Sequence, residues 1–146
     1  MKIKKTHYLT LALLLLLAGC DRAVLTEPEV GEAYRIESFI PDGTKSYVFK
    51  ATGAIEDAGT PEGEPLPVGE DTGTRVVRYR MFNSKKGSIA VRVEAHFVTN
   101  GAHIVEGHFR VLGSTGAYTN VQESGTFHAI LDEKDDPVEY FSGLLN

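Results

Sequence analysis

Three segments in the second half of the chain limit the fold more than anything else in the sequence: TRVVRYRMFN (74–83), GSIAVRVEAHFV (87–98) and AHIVEGHFRVL (102–112). Each alternates apolar with polar side chains and is rich in Val, Ile, Phe and Tyr, the pattern of a half-buried strand. Asn83 to Gly87 and Thr99-Asn100-Gly101 lie between them and supply the chemistry that turns one strand back along the next. The three segments therefore read as a meander. YRIESFI (34–40), which ends in Pro41-Asp42-Gly43, KSYVFKA (45–51) and SGTFHAIL (124–131) have the same character. After the acidic turn Asp132 to Pro137, VEYFSGLL (138–145) reads either as a last strand or as a short helix. These segments predict an all-β domain of about seven or eight strands, at the spacing of a barrel or a sandwich.

The first 19 residues are of another kind. Lys2, Lys4 and Lys5 precede a short apolar run from Leu9 to Ala18, too short to span a bilayer and built in the order of an export signal. The run ends in Leu17-Ala18-Gly19-Cys20, which resembles the lipobox of bacterial lipoproteins. That resemblance implies cleavage before Cys20 and acylation of its thiol, with a palmitate-type chain among the anchors. Each buried methylene contributes about 0.8 kcal/mol, so two or more chains hold the protein firmly to the bilayer. Asp21, next in sequence, looks like the signal for retention in the inner membrane, with the domain facing the periplasm. The expected organisation is a signal peptide over 1–19, a lipidated tether over 20–31 and a β-domain over 32–146.

Charge and cysteine content exclude several partners. Without the three leader lysines, the 15 basic side chains fall to 12 against 20 acidic ones, a net charge of −8 with histidine neutral. Such a surface is repelled by nucleic acid and by anionic headgroups. Cys20 is the only cysteine, so neither an internal disulfide nor a thiolate metal site is expected. Residues 57–73, DAGTPEGEPLPVGEDTG, carry five acids and no base, and read as a long solvated loop. Their spacing matches no calcium loop.

FRVLGSTGAYTNVQESGTF (109–127) interleaves glycines with aromatics. Glycine lets a sheet bend hard and lets strands approach closely at a barrel corner, and the aromatics would fill the space it leaves. Within this stretch, Gly113, Thr115, Gly116, Tyr118, Gly125, Thr126 and Phe127 resemble the G-G-T-G-x-F/Y … G-x-G-T-F segment of the allene oxide cyclase-like and dirigent-like barrels, with Ser114 and Glu123 departing from it. The resemblance covers about residues 105–130. It implies a small antiparallel eight-stranded barrel, against the alternative of a β-sandwich, with a lumen able to hold an apolar ligand and a tendency to trimers. Gly113, Gly116 and Gly125 are its structural turn positions. The matched positions serve turns and packing, so the resemblance transfers no catalytic residue.

One polar constellation stands out. Arg92, Glu94 and His96 share a face of one strand, opposite Val91, Val93, Ala95 and Phe97; Glu106, His108 and Arg110 share a face of the next. A register with His96 opposite Glu106 also sets Glu94 opposite His108, giving two attractive pairs, whereas a shift by two sets Glu94 against Glu106. If the face is lumenal, a Glu–His pair could move protons while arginine orients an anionic ligand. If it is the outer face of an antiparallel sheet, the same alternation is a wet charged surface. Arg78 and Arg80, alternating against Val77 and Tyr79, read as more of that face, and His128 as a surface or packing residue. No metal site and no cofactor are expected, and neither a serine-nucleophile elbow nor a phosphate loop is present. Three functions remain open: an accessory or binding module for a small apolar ligand or a protein partner, a cofactor-free cyclase, or a structural envelope protein without ligand.

Overall fold

A computed structural model of the chain describes residues 31–65, 73–99 and 104–146. The signal, Cys20, Asp21 and most of the tether lie outside the described residues. Eight strands follow one another: β1 (Ala33–Phe39), β2 (Val48–Gly53), β3 (Asp57–Gly63), β4 (Arg75–Asn83), β5 (Ser88–Thr99), β6 (Ile104–Ser114), β7 (Ser124–Leu131) and β8 (Pro137–Leu144). Each pairs antiparallel with its neighbours in sequence, and β8 closes on β1, with Ile36 opposite Phe141. The fold is a closed up-and-down barrel of eight strands, not a sandwich. Closure removes the free edges that an open sheet of such strands would expose.

The expected loop at 57–73 needs correcting. Its first part is β3, which pairs with β2 over Phe49–Ala51 and with β4 over Thr60–Gly63. Composition misled because DAGTPEG has almost no β-branched or aromatic content. What makes it a strand is the barrel, which needs a strand between β2 and β4, and the room its small residues leave for neighbours. Phe49 lies directly opposite Gly59, and a methyl group on that glycine would stand 2.8 Å from the Phe49 ring. VEYFSGLL is likewise a strand, fixed by partners on both sides.

Aromatic rings facing glycines organise the interior. Phe109 lies opposite Gly125, Phe127 opposite Gly107 and Tyr34 opposite Gly143. Gly125 lies nearest its facing ring, since a Cβ there would meet the Phe109 ring at 2.4 Å and the Ser142 carbonyl at 2.3 Å. The rings so admitted pack on one another: Phe82 and Phe127 each lie 4.9 Å from Phe141, Phe49 lies 5.3 Å from Phe82, and Phe109 lies 5.7 Å from Phe141. These tilted and edge-on contacts are the geometry that ring quadrupoles favour. The lumen is a core.

One end of the barrel is closed by the segment that follows β6. Gly116 holds φ +58° and lies against the Lys86 carbonyl, leaving no room for a side chain. The single 3₁₀ turn it starts, Gly116–Tyr118, swings the Tyr118 ring fully inside. Its hydroxyl donates to Asp57 at 3.0 Å, and Ser84 donates to the same carboxylate oxygen. Of the three turn glycines expected, only Gly116 sits at a turn. Gly113 is within β6 and Gly125 within β7.

Candidate functional site

The polar array of β5 and β6 has the favourable register: His96 faces Glu106, Glu94 faces His108, and Arg92 faces Arg110. It lies on the outside. Val91, Val93, Ala95, Phe97, Val105 and Phe109 are buried, while His96, Glu106, His108 and Arg110 are exposed and Arg92 and Glu94 half-buried. The lumenal reading of this array is therefore overturned, because the aliphatic and aromatic parity of both strands takes the inside. Glu94 collects two arginines, Arg75 at 2.6 Å and Arg92 at closer contact. Hydrogen bonds from Arg92 first, and from Arg75, hold its carboxyl below the usual carboxylate range. Among the described residues, no group of three or more His, Cys, Asp or Glu side chains is gathered to hold a metal ion.

The outer wall continues through His128, opposite Glu106 on one side and Tyr140 on the other. The imidazole stacks on the Tyr140 ring with centroids 4.7 Å apart, and the Arg35 guanidinium lies 4.2 Å from the same ring. Partial burial, and then the nearby Arg35 charge, push the histidine below its ordinary value, with Glu106 opposing them.

A second constellation, inside the barrel, corrects the reading of β4. Its inward residues are Val76, Arg78, Arg80 and Phe82, so the two arginines do not belong to the outer face. Arg80 is 3 % exposed and pairs at 2.7 Å with Glu139 of β8, which is 1 % exposed. The guanidinium also donates to Ser38 Oγ at 3.1 Å and to the Gly63 carbonyl at 3.0 Å, with the Tyr47 ring 5.4 Å away. Burial, followed by the Glu139 charge, pushes the Tyr47 hydroxyl up to about 12. A buried charge is tolerable only when it is paired and hydrogen-bonded. Here Glu139 supplies the countercharge and Ser38 and Gly63 take two hydrogen bonds, while the buried Arg80 Nε has no hydrogen-bond partner among the described residues. Arg78 donates to the Val77 carbonyl at 2.9 Å and makes a loose ionic contact with exposed Glu64 at 3.9 Å. The sequence carried one faint sign of this arrangement: Arg78 and Arg80 share parity with Val76 and Phe82, and Phe82 proves to be completely buried.

Comparison with known proteins identifies no relative: no family model matches the chain, and no curated protein or solved structure matches it either. The site must be read from its own geometry.

Proposed function

We propose that this protein is a lipid-anchored accessory module of a bacterial cell envelope, and that its barrel acts through its outer surface on a protein partner. The single observation that carries this reading is the occupied lumen. Five phenylalanine rings pack against one another where an apolar ligand would sit. The interior charges Arg80 and Glu139 answer each other instead of facing a chamber. A cyclase of the resembled kind needs such a chamber beside its polar groups. The outer wall, by contrast, offers ordered arginine, glutamate, histidine and tyrosine side chains.

The anchor belongs to the same proposal. The export signal and LAGC point to acylation of Cys20 and, with Asp21, to the inner membrane facing the periplasm. The full chain expressed in a bacterial host with a palmitate analogue should label and fractionate with the inner membrane, and Cys20→Ser should do neither. Release of the unlabelled wild-type chain as a soluble protein would sink the anchor. Saturable binding of a fatty acid or another apolar probe within the barrel would sink the outer-surface reading.

A further inference from the structure

Three features that fold stability does not call for meet at one place on the outer wall of β4, β5 and β6. The first is an exposed knob. The β5–β6 register slips between Ala90 and Val91, so that Ala90 faces Gly113 while Val91 faces Val111, and Leu112 is the extra residue. Bulges of this kind re-aim a side chain, and this one leaves Leu112 56 % exposed. Tyr79, at 58 %, and Met81 stand on β4 in the two adjoining cross-strand rows. Three of the four large apolar side chains exposed among the described residues thus lie on this wall, with only Ile130 elsewhere.

The second is a floor. Ala90 lies between Met81 and Gly113, and a Cβ built on Gly113 would meet nothing within 4 Å. Its backbone is not in the left-handed region, so neither packing nor conformation requires glycine there. The space above it is open.

The third is charge. Arg92 and Arg110 are directly opposite each other, an arrangement that destabilises a sheet unless something anionic answers it. Glu94 answers Arg92. Arg110 has no acidic partner among the described residues. Tyr79, Met81, Ala90, Arg110 and Leu112 bring no carboxylate to this part of the wall, where Glu94, paired with Arg92, is the acid on these strands, in a chain of net charge −5.

We propose that this wall is the docking surface for an acidic protein partner. An apolar side chain of the partner seats on Ala90 and Gly113 between Met81 and Leu112, and a carboxylate of the partner bridges Arg92 and Arg110, with Tyr79 at the edge. Tyrosine, methionine and arginine are the residue types that protein interfaces enrich and that carry their binding energy. A lipid surface fits less well, because Glu94 and Glu123 border the patch and an anionic bilayer would repel them. The inference deepens the partner-binding reading above and rests on it.

The test uses the full anchored chain in the native envelope. A photo-crosslinking amino acid is placed at Tyr79 or Leu112, and for comparison at Lys50 or Thr52 on the outside of β2. A defined protein adduct from positions 79 and 112 but not from 50 and 52 is expected, joined to an acidic segment of the partner. Gly113→Trp, which fills the floor, and the doubly reversed Arg92→Glu/Arg110→Glu should each weaken the adduct about tenfold or more. The circular dichroism and melting of each variant are checked against the wild type. The charge-reversed variant carries the test if Gly113→Trp alters the fold. Adducts only from 50 and 52 overturn this surface and leave the partner reading intact, whereas no adduct from any position overturns the partner reading itself. An adduct between two copies of the chain, or wild-type binding to phosphatidylglycerol vesicles that the charge reversal abolishes, overturns the acidic-protein assignment. An adduct undiminished by charge reversal does the same.

Discussion

Replacing Glu139 by leucine tests whether the interior charges are a closed pair. The substitution leaves Arg80 at 3 % exposure with its bonds to Ser38 Oγ and the Gly63 carbonyl but with no countercharge. Removing one member of a buried ion pair costs about 3–5 kcal/mol, a large share of the about 5–15 kcal/mol that holds a domain together. With a urea slope near 2 kcal/mol/M, the unfolding midpoint should fall by about 2 M. Adding Arg80→Met should recover most of that loss, because neither charge is then buried. Recovery should stop near the wild-type value, since Ser38 and the Gly63 carbonyl lose the guanidinium at about 1 kcal/mol each. Urea unfolding of the mature chain carrying Cys20→Ser, at pH 7, measures both variants. A single substitution costing under about 1 kcal/mol, or a double variant as unstable as the sum of two singles, would refute the closed-pair reasoning.

Gly125→Ala should destabilise by about 1–3 kcal/mol by driving a methyl group into the Phe109 ring and the Ser142 carbonyl. Gly113→Ala, with open space above it, should stay within about 0.5 kcal/mol; equal effects at the two sites in thermal melts would contradict the packing. His128 titrates below the ordinary histidine value near 6.5, so the unfolded chain takes up its proton first as the pH falls. Its contribution is therefore complete above about pH 6.5 and is lost below it. Comparison of unfolding midpoints between pH 5 and 8 should show that slope in the wild type and a shallower one in His128→Gln, and an NMR midpoint above 6.5 would reverse the sign. Burial pushes Tyr34 and Tyr47 up to about 12 and Tyr118 higher still. Their protons leave the unfolded chain first, so stability present below about pH 10 falls as the pH rises past it. Absorbance at 295 nm should show three tyrosines still protonated at pH 11 in the folded protein, and complete ionisation by then would refute their burial.

Much of the barrel was legible because strand parity is a local signal. Ile89, Val91, Val93, Ala95 and Phe97 declare one face of β5 by themselves, and opposite-charge pairing selected the register of His96 with Glu106. Where that signal is absent, the reading failed. β3 has one buried residue, Pro61, and its pairing depends on Phe49 and Phe82 from its two neighbours. β4 places an arginine or a valine on either face, so only Phe82 marks the inside. Glu139, between Val138 and Tyr140, has no parity signal at all.

The sequence by itself determined that the chain is all-β, where the β4–β5 and β5–β6 hairpins turn and which side chains share a face on β5 and β6, because period-two alternation and turn chemistry act over a few residues. Tertiary structure alone decided which face is the lumen, that rings fill it opposite glycines on neighbouring strands, and that Arg80 reaches Glu139 across the barrel. Ring–glycine complementarity and ion pairing join residues tens of positions apart, and only closure of the barrel brings them within contact distance.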